Sequence, residues 1–180
     1  TAAIAETTQA TWSPDKAPIF KRNRRAVEAE LAELDAYVRK VIGNSPEDRR
    51  ILVTAHDAFA YFGQEYGLQV EGIQGISTQS EAGLNRIGEL VDLLVDRQVT
   101  AVFVESSVSD RSIRALIEGA AAKGHDVKVG GELFSDAMGE EGTYEGTYVG
   151  MLDHNINVIA GALGGDVPGR GMDGKLSAGF

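Results

Sequence analysis

The sequence predicts an α/β fold in which a four-stranded parallel sheet is flanked by helices and preceded by a long strut helix. Short runs rich in β-branched residues alternate with segments whose apolar residues recur at helical spacing. The strand-like runs are 51–55, 68–74, 100–104 and 126–130. Strands that alternate with helices in this way form parallel, right-handed βαβ units.

The strut helix is predicted from Pro14 to about Ile42, after an Ala/Thr-rich start that has no clear period. One apolar stripe marks it, formed by Val27, Leu31, Leu34, Val38 and Val41. At a rise of about 1.5 Å per residue it would span on the order of 40 Å. That length is unusual for one small domain, and it suggests a strut that runs along two lobes.

The predicted helices between and after the strands lie at about 57–66, 80–97, 110–123 and 146–163. Gly67 and Gly124 end the first and the third, and Ser109 caps the third. In the last helix the inward residues are expected to be Tyr148, Leu152, Ile156 and Ile159. The remaining residues, 164–180, have six glycines, one proline and no period, which predicts a flexible tail.

Composition excludes several classes of protein. The chain has 180 residues, of which 43% are hydrophobic, and this is enough for one domain with a core. It has no cysteine, so thiolate metal sites, disulfides and cysteine nucleophiles are excluded. The net charge is −10, and a strongly acidic body binds nucleic acid poorly but is compatible with a cation.

Three side chains that could carry chemistry follow the predicted strands. His56 comes directly after 51–55, Glu105 after 101–104, and Asp136 follows the strand that contains 127–129. Ligands of open α/β sheets bind just beyond the carboxyl ends of the strands, so the three are expected at one edge. One histidine and two carboxylates suit Mn²⁺, Fe²⁺ or Zn²⁺.

Each of the three also has a structural interpretation. His56 could be satisfied by hydrogen bonds, Asp136 could be a turn or cap residue, and Glu105 could support a neighbouring group instead of binding metal. Neither other histidine supplies an obvious further ligand. His125 is expected to be exposed in a turn, and His154 to pack or cap.

A hydrolase that uses Ser106 or Ser107 with His56 is a third possibility. The sequence contains no Gly-x-Ser-x-Gly elbow and no Gly-x-x-x-x-Gly-Lys-Ser/Thr phosphate loop. We therefore predict a binding protein with no catalytic residues.

Several segments together resemble one family, the solute-binding receptors of manganese, zinc and iron ABC importers. The similarity covers about residues 14–163. The segments are Val53-Thr54-Ala55-His56-Asp57-Ala58-Phe59 with Tyr61-Phe62, Gly75-Ile76-Ser77-Thr78, Phe103-Val104-Glu105-Ser106-Ser107, Gly130-Gly131-Glu132-Leu133-Phe134-Ser135-Asp136-Ala137-Met138-Gly139, and Gly146-Thr147-Tyr148-Val149-Gly150-Met151 with His154-Asn155.

The resemblance implies two α/β lobes joined by a long helix, with a divalent metal between them. His56 and Asp136 would be the two metal ligands of the C-terminal lobe, and Glu105 would support them. The other two ligands, normally histidines of an N-terminal lobe, have no counterpart before Ser13. The implied division is an N-terminal remnant at 1–13, a linking helix at 14–45, the metal-binding lobe at 46–163 and the tail at 164–180.

The resemblance also implies partners and a location. The metal would be Mn²⁺ in preference to Zn²⁺ or Fe²⁺. The partners would be an ABC permease and either the missing N-terminal lobe or a second copy of the chain, with no nucleic acid. The protein would be periplasmic or extracellular and attached to the membrane only through the permease or a lipid anchor outside this chain. The alternative is a truncated α/β interaction module whose metal site has decayed.

Overall fold

The computed structural model describes residues 2–75 and 83–177, and it confirms the predicted fold class. The helices are α1 (Ala2–Trp12), α2 (Ala17–Gly43), α3 (Ala60–Tyr66), α4 (Leu84–Asp96), α5 (Arg111–Ala122) and α6 (Tyr148–Ala162). The strands are β1 (Ile51–His56), β2 (Gln69–Gln74), β3 (Ala101–Glu105) and β4 (Lys128–Leu133). Single 3₁₀ turns lie at Pro14–Lys16 and Glu47–Arg49. The motif residues 76–78 lie outside the described part of the chain.

The chain divides into two compact units, residues 1–37 and 38–180. The first contains α1 and most of α2, and the second begins in the last turns of α2. The four-part division implied by the resemblance has different boundaries and stays a prediction. In the first unit, residues 2–12 form a helix although their sequence has no clear period. Val27 is 47% exposed, so the apolar stripe of α2 is not buried along its whole length.

The sheet has the order β2-β1-β3-β4, and all neighbouring strands are parallel. The chain runs from β1 outward to β2 and then crosses to the other side of β1 to form β3. The direction of strand addition therefore reverses between β1 and β3. The crevice outside the carboxyl ends of such strands is where ligands bind in open α/β sheets.

The main core lies between the sheet and helices α4 and α5. Every residue of β1 is buried, as expected for a central parallel strand. One cluster joins residues of β1 and β3 to the inner faces of both helices; it includes Val53, Val102, Leu90, Leu94, Ile113 and Leu116. Burying one such side chain contributes about 1.5–3 kcal/mol, so this cluster fixes the position of the strands that lead to the site.

Strand β4 covers Lys128–Leu133, whereas the predicted strand was 126–130, so it ends three residues later and includes Gly131 as well as Gly130. A Cβ on Gly130 would lie 2.9 Å from both the Phe103 ring and the Ala162 side chain, and one on Gly131 would lie 2.5 Å from Val158. The sequence therefore placed the end of this strand too early. These positions are glycine because the neighbouring strand and α6 pack directly against the backbone of β4.

Helix α6 differs from the predicted one-sided stripe. Ile156 and Ile159 are buried as expected, but Tyr148 is 59% exposed and Leu152 is only partly buried. From Asp153 onward the helix is buried on most of its surface, including three polar residues: Asp153, Asn155 and Asn157. The polar residues are accommodated because each makes specific hydrogen bonds.

The segment after α6 makes specific contacts, whereas its glycine content predicts a flexible tail. Leu176 is fully buried, and the Met172 amide donates to both carboxylate oxygens of Asp153 at 3.0 and 3.1 Å. These contacts hold residues 164–177 against the rest of the second unit. Separately, none of the helices in the described ranges is both long enough and apolar enough to cross a membrane.

Gly131→Ala is expected to lower the free energy of unfolding by about 1–3 kcal/mol, because the new methyl group meets Val158 and the backbone has a φ of 151°. Gly88→Ala is the matched control. Gly88 lies on α4 with open space around it, so its replacement should be neutral or slightly stabilising. Urea denaturation measures both. Equal stability of the two variants would contradict the close packing of α6 on β4.

Candidate metal centre

His56 is the last residue of β1, and its side chain is only 2% exposed. The Thr54 hydroxyl donates to the His56 carbonyl at 2.8 Å, and the His56 amide donates to Glu105 Oε1 at 2.9 Å. The backbone on both sides of the imidazole is therefore held by hydrogen bonds. A residue with so little freedom presents its ring in one orientation.

Glu105 is the last residue of β3, and its side chain is completely buried. Thr54 of β1 pairs with Phe103 of β3, so His56 and Glu105 occupy equivalent positions two residues further along neighbouring strands. Glu105 Oε2 lies 2.7 Å from His56 Nδ1. The contact lacks the geometry of a hydrogen bond, and neither atom has a hydrogen-bond partner among the described residues.

This contact selects a tautomer of His56. Carboxylates face both ring nitrogens, but Glu105 Oε2 is the nearer, at 2.7 Å from Nδ1 against 3.4 Å between Asp136 Oδ2 and Nε2, so we expect the proton of a neutral imidazole on Nδ1. Nε2 then carries the lone pair and can bind a metal ion. Histidine ligands in proteins are oriented by carboxylates in this way.

Asp136 lies three residues beyond β4, and its Oδ2 is 3.4 Å from His56 Nε2. Its side chain is 72% exposed, in contrast to the buried imidazole. Its backbone has a φ of 54°, a left-handed conformation that few residues other than glycine adopt, although aspartate tolerates it. Backbone conformations of this kind concentrate at functional sites, and this one directs a carboxylate at the free ring nitrogen.

The segment that leads to Asp136 is fixed by α6. The Phe134 amide donates to Asn155 Oδ1 at 2.9 Å, and Asn155 Nδ2 donates to the Phe134 carbonyl at 2.8 Å. The hydroxyls of Ser135 and Ser107 lie 3.0 Å apart. The sequence did not identify Asn155 as functional, because only the packing of α6 on β4 brings it to this loop.

The other two histidines lie elsewhere. His125 is half-buried and its Nε2 is 2.7 Å from the Val99 carbonyl, so the expectation that it is exposed was wrong. The turn after α5 places it against the residues before β3. His154 packs, as predicted: its ring lies 4.7 Å from that of Phe134, and its Nε2 is 3.0 Å from the Glu132 carbonyl.

The structure thus brings His56, Glu105 and Asp136 together at the carboxyl edge of the sheet. His56 and Asp136 offer one nitrogen and one carboxylate toward a common point, while Glu105 lies behind the imidazole. The described residues contain no group of three or more His, Cys, Asp or Glu side chains arranged to hold a metal ion. Both ring nitrogens of His56 face carboxylates, so the imidazole is not positioned to activate Ser106.

Residues 1–162 match the family profile described as "ZnuA: Zinc-uptake complex component A periplasmic". The chain belongs to this zinc-uptake family. Among its relatives are the manganese-binding lipoprotein MntA of Bacillus subtilis, 58% identical over 150 residues, and the zinc-binding protein TroA of Treponema pallidum, 49% identical over 150 residues. Each alignment covers 83% of this chain and 49% of the relative, so the chain spans about half the length of these proteins.

Solved structures agree with the zinc-uptake family assignment. The structure of the periplasmic zinc-binding protein TroA from Treponema pallidum superposes with a TM-score of 0.86 and 46% identity, over 89% of this chain and 58% of that one. These relatives are named as metal-binding proteins, and others are named as metal ABC transporter substrate-binding lipoproteins, which agrees with the predicted lack of catalysis. The family description and the lipoprotein names also agree with the expected periplasmic or extracellular, membrane-attached location.

Glu105→Ala is expected to lower the free energy of unfolding by about 1–3 kcal/mol, because it leaves the buried His56 amide without its acceptor. Glu105→Gln should cost less, since its amide oxygen can still accept that hydrogen bond. Thermal and urea denaturation of the two variants give the comparison. If alanine and glutamine are equally tolerated, the hydrogen bond from His56 does not contribute to stability.

Proposed function

We propose that this chain is the metal-binding C-terminal lobe of the substrate-binding component of an ABC importer for a divalent transition metal. His56 Nε2 and the Asp136 carboxylate bind the metal, and Glu105 orients the imidazole. The observation that carries the proposal is the geometry of His56, which is buried and contacted at Nδ1 by one carboxylate while Nε2 faces another at 3.4 Å. Family membership supports the same class of function.

Two ligands do not complete a transition-metal site. Zinc sites in proteins normally have four ligands, and manganese accepts more. The remaining ligands therefore come from outside the described residues, either from an N-terminal lobe or from a second copy of the chain. The Asp136 side chain is 72% exposed, so it is accessible to a ligand-bearing partner. The importer's permease is the further partner that this function requires.

We propose Mn²⁺ as the transported ion in preference to Zn²⁺ or Fe²⁺. An imidazole nitrogen and a carboxylate oxygen, with no thiolate in the chain, form a donor set suited to manganese. The relative at 58% identity is named a manganese-binding protein, and the one at 49% a zinc-binding protein. Zn²⁺ should bind more tightly in vitro whichever ion is transported, because it lies higher in the Irving–Williams order.

His56→Ala and Asp136→Ala are each expected to abolish metal retention in the protein expressed from its complete coding sequence. The matched control is His125→Ala, which removes a histidine that contacts Val99 and is not part of the centre. Metal content per protein, measured by inductively coupled plasma mass spectrometry after gel filtration, compares the three. Wild-type metal content in His56→Ala would contradict the assignment of His56 as a metal ligand.

The alternative function is an α/β interaction module with a decayed metal site. It is favoured by the absence, within residues 2–75 and 83–177, of any group of three metal-binding side chains. Calorimetric titration of the 180-residue chain with Mn²⁺ and Zn²⁺ tests it. Micromolar binding that disappears in Asp136→Ala supports a working site. If the protein from the complete coding sequence also binds neither ion, the alternative is correct.

A further inference from the structure

We propose that the segment after α6, residues 166–177, is a latch that holds the loop carrying Asp136 in its metal-binding position. The inference deepens the proposed function and rests on it. The family match ends at residue 162, so the latch lies beyond the residues that the chain shares with the family profile. It acts through Glu145 and Asp153, neither of which faces His56.

Two hydrogen bonds between residues of the latch fold it into a compact loop. Arg170 Nε donates to the Leu176 carbonyl at 3.0 Å, and the Leu176 amide donates to the Arg170 carbonyl at 3.2 Å. Gly171 lies between them with a φ of 75°, and a Cβ there would be 2.5 Å from Asp153 Oδ2. The tight turn that results places the Leu176 side chain fully inside the protein.

Asp153 anchors the first half of the latch to α6. Its carboxylate has no exposed surface, and it accepts hydrogen bonds from the Met172 amide, from Asn157 Nδ2 at 2.8 Å and from the Tyr144 hydroxyl at 3.3 Å. Burial and the adjacent Asp153 raise the pKa of Tyr144, so this hydroxyl remains a donor. One buried carboxylate thus joins the latch, α6 and the loop that contains Tyr144.

Glu145 anchors the second half of the latch to the loop itself. The Ser177 amide donates to Glu145 Oε1 at 2.6 Å. Burial acts to raise the pKa of Glu145, but the hydrogen bonds to its carboxylate outweigh that effect and hold the pKa below its usual range. Nearby, Lys175 Nζ lies 5.5 Å from the centre of the Tyr144 ring.

The connection from Glu145 to Asp136 is short. The Gly139 amide donates to the Glu145 carbonyl at 2.9 Å, and a Cβ on Gly139 would lie 2.7 Å from Glu145 Cβ. Gly139 is three residues beyond Asp136. The exposed carboxylate is therefore held upstream by Asn155 at Phe134 and downstream by the backbone of Glu145, the residue whose side chain accepts from the latch at Ser177.

Three variants test the latch in the protein from the complete coding sequence: Glu145→Ala, Glu145→Gln and a chain that ends after Gly165. Two quantities are measured on each. The first is Mn²⁺ affinity by competition with a chromophoric chelator, at a temperature where circular dichroism shows the protein folded. The second is the hydrogen-exchange rate of the Gly139 amide. Ile42→Ala, a substitution of a buried side chain near the end of α2 and outside the cluster that joins β1 and β3 to α4 and α5, is the control for lost stability.

We expect Glu145→Ala and the shortened chain to bind Mn²⁺ about tenfold more weakly, as is usual when support behind a metal ligand is removed. Exchange at Gly139 should be roughly tenfold faster. Glu145→Gln should stay close to wild type, because its amide oxygen can still accept from Ser177. Ile42→Ala should lower the melting temperature but leave Mn²⁺ affinity unchanged.

Wild-type affinity and exchange in Glu145→Ala would overturn the latch, as would an equal loss of affinity in Ile42→Ala. The proposed function fails separately, if the wild-type protein binds no Mn²⁺. The exchange rate of Gly139 then decides the latch alone: faster exchange in Glu145→Ala supports it, and an unchanged rate overturns it.

Discussion

The contact between His56 and Glu105 is the constraint on which the rest of the site depends. A buried carboxylate is costly unless it is paired and hydrogen-bonded; Glu105 accepts a hydrogen bond from the His56 amide and lies 2.7 Å from the His56 ring. That pairing requires β1 and β3 to be neighbours in register, which the core cluster under α4 and α5 ensures. The imidazole is thereby oriented before any ion arrives, so little of the binding free energy is lost in ordering it.

Asp136 differs from His56 and Glu105 in its exposure and in its backbone conformation. It is exposed, it lies on a loop, and its backbone is in the left-handed region. Under the proposed function, an exposed carboxylate can move to accommodate an ion and then release it to a permease. Asn155 makes hydrogen bonds to Phe134 before Asp136, and the Glu145 carbonyl accepts from the Gly139 amide after it. The proposed site therefore combines a fixed nitrogen ligand with a restrained carboxylate.

The sequence predicted the parts of this arrangement that depend on local pattern. His56 and Glu105 follow runs of β-branched residues, and strand-end placement alone brings them to one edge of a parallel sheet. The sequence did not predict the parts that depend on tertiary packing. The predicted strand stops at Gly130, whereas β4 continues through Gly131, because Phe103 and Val158 pack against the backbone of these two glycines. The segment 164–177 has one large apolar residue buried in the lobe, Leu176, and its order comes from acceptors on α6 and the preceding loop that no local pattern reveals.

The central claim is that Glu105 keeps the proton of His56 on Nδ1 and leaves Nε2 free for the metal. The ¹⁵N spectrum of the His56 ring, recorded before and after addition of Zn²⁺ as a diamagnetic probe, tests it most directly. The account predicts a protonated Nδ1 and an unprotonated Nε2 in the metal-free protein, with the Nε2 resonance shifting on metal binding. A proton found on Nε2, or a ring spectrum that Zn²⁺ leaves unchanged in the protein from the complete coding sequence, would contradict it.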